Sequence, residues 1–182
     1  MAYSELLAGQ TELAPEEQAR YLNLIRTKAG QIKDMTDLLL DGSKRNPEYF
    51  ENACLLMEQL VEEFESELED TFCVKTTLAC PAFSATFDVQ ELRRIFDNLI
   101  SNVQKYAAAD EPVVLSVSAE NGQVMIRQEN AVRKLDVSAE GYQIGLKSIR
   151  RIAQSYGGRV EVQHGYAAFF SSVLLHDAVP LF

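Results

Sequence analysis

The spacing of hydrophobic residues changes several times along the chain and predicts an alternation of helices and strands. A first helix begins near Pro15, which two glutamates follow, and ends at Gly42-Ser43. Its apolar positions are spaced three and four apart and form a near-heptad seam. These positions are Leu22, Ile25, Ala29, Ile32, Thr36 and Leu39. Because a solitary helix cannot bury such a seam, we expect a partner chain or a further helix to complete a bundle.

The second helical stretch begins at Asn46-Pro47, a pair that suits the cap and the first position of a helix. It runs to about Asp70. The hydrophobic period then shortens to two, which predicts strands over 72–80 and 82–88.

The rest of the chain repeats this alternation. A helix over 89–108 is followed by two alternating runs that meet at Asn121-Gly122, a strong hairpin signal. A further helix over 144–158 ends at a glycine pair, and two strands around Gly165 follow it. This order of elements favours an α+β fold in which helices cover one face of a mixed sheet.

Length and charge restrict the possible functions. The chain has 182 residues, enough for one domain with an appended element, and a net charge of −10. It has no long cluster of Lys or Arg, so we expect no nucleic-acid partner. No apolar run approaches the ~18 residues of a membrane-spanning helix. The N-terminal residues also lack the basic and apolar parts of a signal peptide, so we expect no membrane contact by this segment.

The cysteines and histidines do not form a recognisable site. Cys54, Cys73 and Cys80 are odd in number and have no C-x-x-C spacing, which suits a reducing cytosol and packed thiols. His164 and His176 lie in strand-like sequence, and we expect neither of them to catalyse a reaction or to bind a metal.

The helix over 89–108 carries a narrow polar stripe beside its apolar face. Asn98, Asn102 and Lys105 follow one another at about one turn, so they lie along one edge of that face. An amide oxygen is a hard neutral ligand that suits Mg²⁺, and a lysine offers a point charge to phosphate oxygens. The alternative is that the asparagines merely bond neighbouring backbone groups.

Two weaker signals lie further along the chain. Gly141, Gly145 and Leu146 stand at the predicted start of a helix, where free N–H groups attract anions and glycine permits a close approach. Asn130 ends a predicted strand and could hydrogen-bond the edge of an adenine. Each has a simpler alternative, a loop-to-helix junction for the glycines and a turn residue for Asn130.

The order and spacing of these motifs resemble a known family. The run "RRIFDNLISNVQKYA", then a hairpin, then "GYQIGLKSIRRIAQSYGGRVEV" is similar to the ATP-binding domain of sensor histidine kinases, within the wider GHKL family. The resemblance covers about 88–175 and implies a two-layer α/β sandwich of the Bergerat type, preceded by a bundle-forming helix. It divides the chain into a partial dimerisation segment, residues 1–45, and an ATP-binding catalytic domain, residues 46–182.

The resemblance also implies the site. ATP is the expected ligand, with Mg²⁺ held by Asn102 and with phosphate contacts from Lys105 and Tyr106. Asn98 and Lys105 are the expected catalytic residues. The full set of expected ATP-binding residues is Asn98, Asn102, Lys105, Tyr106, Asn130, Gly141, Gly145 and Leu146.

The chain departs from the family pattern at three places. A phosphoacceptor histidine is missing from the dimerisation segment. The first glycine motif reads "NAVRK", so that Asn130 replaces an aspartate and both glycines are absent. The central glycine of the second motif is Gln143, and the loop over 133–143 that would cover the nucleotide is short.

We therefore expect the catalytic core of a sensor histidine kinase. It would pass the γ-phosphate of Mg-ATP to a histidine outside these residues, for relay to a response regulator. The resemblance implies a homodimer through residues 15–43 and the cytoplasmic part of a membrane-anchored receptor. The alternative is a degenerate, kinase-like adaptor that no longer binds ATP. A hydrolysing ATPase is disfavoured, because the ATPase branches place a glutamate where Asn98 stands.

Overall fold

The computed structural model describes residues 45–133, 140–164 and 168–176, together with separate residues between 17 and 32. The chain forms two compact units, Met1–Ser43 and Lys44–Phe182. In the first unit the described residues are helical, and Leu22 and Ile32 of the predicted seam are exposed. No helix in the described part of the chain combines the length and apolarity that a membrane crossing requires.

The second unit alternates strands and helices in the predicted order, with one short strand added at its start. Its strands and helices are β1 (Glu48–Phe50), α1 (Ala53–Leu68), β2 (Val74–Ala79), β3 (Ala85–Phe87), α2 (Val89–Tyr106), β4 (Val113–Glu120), β5 (Gln123–Ala131), α3 (Glu140–Ser155), β6 (Arg159–His164) and β7 (Ala168–His176).

Five of the strands form a mixed sheet in the order β2-β4-β5-β7-β6. Only β2 and β4 run parallel, and the other neighbours in this sheet are antiparallel. The hairpin between β4 and β5 turns at Asn121 and Gly122, whose φ angles are 53° and 73°. Positive φ at both central residues matches the right-handed twist of the strands, which is why the Asn-Gly pair predicted this turn correctly.

One hydrophobic core joins the sheet to the three helices. Alternate residues of β4, from Val113 to Ala119, are buried, and so are Val124 and Ile126 of β5. The apolar faces of α1, α2 and α3 belong to the same buried cluster. The expected α+β architecture, with helices over one face of a mixed sheet, is confirmed.

Two helix boundaries differ from the prediction. Residues 48–50 form β1 and pair with β3, so α1 begins at Ala53, where the Asn52 side chain accepts a hydrogen bond from the Cys54 N–H. The pairing of residues 48–50 with β3 therefore outweighs the preference of Asn46-Pro47 for the start of a helix. The last helix begins at Glu140, so the expected glycine positions lie inside a helix rather than before one.

The first residues of the second unit contact the N-terminal end of α2 and the residue that follows α3. Asp88 caps α2 and accepts hydrogen bonds from the N–H groups of Gln90, Glu91 and Asn46. Its own N–H donates to the hydroxyl of Tyr156 at 2.9 Å. Arg45 forms an ion pair with Glu91 and stacks over the Tyr156 ring.

These contacts bury Tyr156, and the burial changes the pKa of its hydroxyl. Desolvation raises the pKa of Tyr156 to about 12, and the nearby Glu91 carboxylate also raises it. The neutral hydroxyl is therefore the form that the folded protein stabilises.

We expect the free energy of unfolding to fall as the pH rises from about 10 to about 12, because the unfolded chain releases the Tyr156 proton first. Tyr156→Phe should remove that part of the pH dependence. At neutral pH it should cost about 1–3 kcal/mol, because the Asp88 N–H loses its partner. Urea unfolding at several pH values measures both effects. Tyr49→Phe, which removes an exposed hydroxyl, is the control. An unchanged pH slope in Tyr156→Phe would contradict the expectation.

Candidate functional site

Two asparagines project from the edge of α2 at successive turns. Asn102 is buried, with 6% of its surface exposed, and Asn98 is half-buried. The Nδ2 of Asn98 donates to the Arg94 carbonyl at 2.7 Å, which holds that amide against the helix. The Nδ2 of Asn102 has no hydrogen-bond partner among the described residues. A buried donor without a partner is costly, so Asn102 is poorly explained by packing alone.

A glycine of α3 lies directly against both amides. A Cβ atom added to Gly145 would stand 2.7 Å from the Oδ1 of Asn98 and 3.9 Å from the Oδ1 of Asn102. Any larger residue would therefore displace Asn98. The two amide oxygens and the glycine backbone, far apart in sequence, thus form one small polar surface between α2 and α3.

The end of β5 is tied to the last turn of α2. The Ala108 N–H donates to the Ala131 carbonyl, and the Arg133 N–H donates to the Tyr106 carbonyl, each at 2.9 Å. The Arg133 guanidinium also donates to the Gln104 carbonyl at 2.6 Å. These bonds place the strand end beside the helix turn that follows Asn102.

Asn130 occupies this strand end and is 3% exposed. Its Oδ1 accepts a hydrogen bond from the Nε2 of Gln128, and its Nδ2 donates to the Ala131 carbonyl at 2.7 Å. Gln128 is fully buried, and its Oε1 has no partner among the described residues. Sequence reasoning overlooked Gln128, although a glutamine at an inward position of a hydrophobic strand was a visible signal.

The structure says less about the surroundings of the remaining predicted site residues. Lys105 is exposed and Tyr106 is half-buried, and both lie in the last turn of α2. Leu146 is buried in the core. Gly141 is helical, but its surroundings lie outside the described residues, as do residues 134–139 of the predicted covering loop. The roles assigned to all of these positions stay predictions.

The described part of the chain holds no cluster of three or more His, Cys, Asp or Glu residues suited to a metal. The oxygens that the predicted site residues on α2 offer to a cation are the neutral amide oxygens of Asn98 and Asn102. Such oxygens suit Mg²⁺, which keeps most of its waters and takes further ligands from a substrate phosphate. The donor set fits a magnesium ion that arrives with a phosphorylated ligand, rather than a permanent metal centre.

Cys54 and Cys80 contact each other, whereas Cys73 is exposed. The Cys54 thiol donates to the Cys80 carbonyl, and burial raises the pKa of the Cys80 thiol to about 12. A thiol that stays protonated is a poor nucleophile and a poor metal ligand.

Comparison with known proteins identifies the domain. The family model of the GHKL domain matches residues 87–176. Sensor histidine kinase YrkQ of Bacillus subtilis (strain 168) is 25% identical over 146 residues, which are 77% of this chain and 34% of that protein. The chain thus spans about a third of the length of this curated relative.

Solved structures with the same fold include several histidine kinases. Acinetobacter baumannii histidine kinase AdeS aligns with a TM-score of 0.67 and 14% identity, over 97% of this chain and 91% of that one. Full-length ShkA in complex with AMPPNP aligns with a TM-score of 0.58 and 20% identity, over 94% and 42%. The histidine kinase domain of the E. coli osmosensor EnvZ aligns with a TM-score of 0.54 and 14% identity, over 77% and 95%.

We expect Gly145→Ala to change the site without unfolding the domain. Alanine favours a helix over glycine by about 1 kcal/mol, which offsets part of the contact with Asn98. The side-chain amide signals of Asn98 and Asn102 in proton–nitrogen spectra should shift. Gly122→Ala, at a positive φ in the hairpin, is the control and should lower stability while leaving those signals in place. Unmoved amide signals in Gly145→Ala would contradict the close approach.

The site joins a polar edge of α2, a glycine of α3 and the end of β5 on a mixed sheet. The family match covers all three of these elements. Residues 87–176 form a GHKL domain by this match, and the fold of the chain is that of histidine kinase catalytic domains.

Proposed function

We propose that this domain binds Mg-ATP and presents the γ-phosphate to a histidine outside these residues. The observation that carries the proposal is the contact of Gly145 with the amide oxygens of Asn98 and Asn102. It brings together two motifs that the family resemblance assigns to one nucleotide. The name of the curated relative, a sensor histidine kinase, and the AMPPNP complex of ShkA support the same class of ligand.

Asn102 is the residue that we assign to the magnesium ion. Its amide is buried, and its Nδ2 is without a partner among the described residues, so no described group holds it by that nitrogen. Its Oδ1 lies on the side of Gly145, 3.9 Å from where a Cβ of that residue would stand. When bound, the ion would neutralise charge on the phosphate oxygens.

We propose that Asn98 helps to position the nucleotide and does not act as a base. An amide cannot remove a proton from water, and this one is held by its bond to the Arg94 carbonyl. Phosphoryl transfer depends mainly on alignment and charge neutralisation, so the domain can deliver a phosphoryl group without a strong base. Lys105, in the last turn of α2, is proposed to contact the phosphates.

The wider assignments follow from the family. The family resemblance implies three further features: an acceptor histidine, a response regulator and a homodimer through residues 15–43. We propose them as the setting in which this domain acts. The exposed Leu22 and Ile32 in the first unit are compatible with a helix that a partner covers.

We expect calorimetric titration with AMPPNP to show binding that Mg²⁺ strengthens. Asn102→Ala should weaken the magnesium-dependent affinity at least about tenfold, because even the outer-shell partners of metal ligands carry effects of about tenfold to a hundredfold. Binding without Mg²⁺ should change much less.

Gln104→Ala is the matched control, because it removes an exposed amide from the same helix. It should leave the titration unchanged. No binding at millimolar nucleotide by the native sequence would overturn the proposal and leave a kinase-like adaptor as the better explanation.

A second expectation concerns hydrolysis. Because Asn98 supplies no base, phosphate release from Mg-ATP should stay close to the uncatalysed background. Asn98→Glu should raise it about a hundredfold, the order of effect of a placed general base. A phosphate-release assay measures this, and Gln104→Glu adds the same charge to the same helix as the control. Rapid hydrolysis by the native sequence would show that the water-activating group lies elsewhere.

A further inference from the structure

Two of the three thiols of the chain lie together at one end of the five-stranded sheet. Cys54 stands in the first turn of α1, and Cys80 directly follows β2. The Cys54 thiol donates a hydrogen bond to the Cys80 carbonyl at 2.7 Å, although 26 residues separate the two along the chain. Both residues keep part of their surface in solvent. The fold creates this pair, because no C-x-x-C spacing marks it in the sequence.

The backbone that carries the two thiols is already held in place. The Ala53 N–H donates to the Phe83 carbonyl at 2.8 Å, and Ala53 is fully buried. Cys80 precedes Pro81, and the residue before a proline is largely restricted to an extended backbone. The start of α1 and the segment after β2 are therefore fixed against each other beside the thiols.

The separation of the two cysteines suits a disulfide. A carbonyl oxygen lies about 2.4 Å from the Cα of its own residue, so the Cys54 sulfur is within about 5 Å of the Cys80 Cα. Burial and then the contact with the Cys54 thiol raise the pKa of Cys80, which agrees with neighbouring sulfurs. A disulfide needs about 2.05 Å between them, and rotation of the two side chains can close that gap.

The two thiols are chemically unequal. Cys54 is the second residue of α1, where the free N–H groups of the first turn favour a negative charge. Thiolates at helix N-termini are more reactive than buried thiols. The raised pKa of Cys80 keeps that thiol protonated. Cys54 is therefore the thiol that reacts first with an oxidant, and Cys80 is the thiol that condenses with the product.

We infer that Cys54 and Cys80 form a modification site, at which hydrogen peroxide converts the two thiols to a disulfide. The Cys54 sulfur attacks one peroxide oxygen, the O–O bond breaks, and Cys54 becomes a sulfenic acid while one water leaves. The Cys80 sulfur then attacks the Cys54 sulfur. An S–S bond forms, the S–O bond breaks, and the Cys80 proton leaves with the hydroxyl as a second water. The peroxide gains the two electrons that the thiols lose, and a thiol reductant reverses the modification.

The crosslink would stabilise the domain away from the candidate nucleotide site. It would enclose α1 and β2 in one loop, which restricts the unfolded chain. Cys80 follows the end of β2 that pairs with Ser118 of β4, whereas Asn130 pairs with Val113 at the other end of β4. The inference is therefore independent of the proposed function.

The test treats the reduced chain with excess hydrogen peroxide at about pH 8.5, where thiolates are more abundant, and then alkylates the remaining thiols. Mass spectrometry of the digested chain should show a crosslink between Cys54 and Cys80 within one monomer. Thermal unfolding should then occur about 5–10 °C higher, and dithiothreitol should abolish the shift. Cys54→Ser should remove both the crosslink and the shift.

Cys73→Ser is the matched control, because Cys73 is exposed and lies outside the pair. This variant should keep the crosslink and the thermal shift. Circular dichroism shows whether each variant folds, and Cys80→Ser replaces Cys54→Ser if that variant does not fold. A crosslink through Cys73, a Cys54 sulfinic acid beside a free Cys80, or two unreacted thiols would overturn the inference. The experiment contains no nucleotide, so failure of the proposed function would not change its result.

Discussion

The close approach of α2 and α3 at Gly145 is the constraint on which the candidate site depends. Both helices bury their apolar faces in one core, and that packing sets how near their polar edges come. Because Gly145 has no side chain, the Oδ1 of Asn98 can lie 2.7 Å from where a Cβ would stand. A Cβ there would occupy the space that Asn98 holds. The site is therefore a product of core packing.

Buried polar groups without partners mark the same region. Within the described residues these are the Nδ2 of Asn102 and the Oε1 of Gln128. Folding gains nothing from either atom, because each loses water without gaining a protein partner. Departures of this kind from good packing concentrate at functional sites, where a ligand supplies the missing interactions. These two atoms therefore support the proposal that a ligand binds beside α2 and β5.

Local patterns predicted most of the fold. The Asn121-Gly122 turn and the apolar stripe of α2 depend on neighbours in sequence, so their patterns were sufficient. The start of α1 was predicted wrongly because residues 48–50 pair with β3, and Glu48 lies opposite Phe87, 39 residues further along the chain. The start of α3 was placed too late because the glycine at 141 suggested a loop, whereas tertiary packing overrides this weak preference.

The sequence by itself determined the family, the α+β architecture and the residues that could form a nucleotide site, because motif spacing and hydrophobic period are local properties. Only the tertiary structure decided which of those residues meet. It brought Gly145 against Asn98 and Asn102, tied the end of β5 to α2, and showed that Gln128 donates a hydrogen bond to Asn130. Some of these contacts join residues on different elements, and others depend on which face of a strand is buried. The packing of the helices on the sheet determines both the contacts and the buried face.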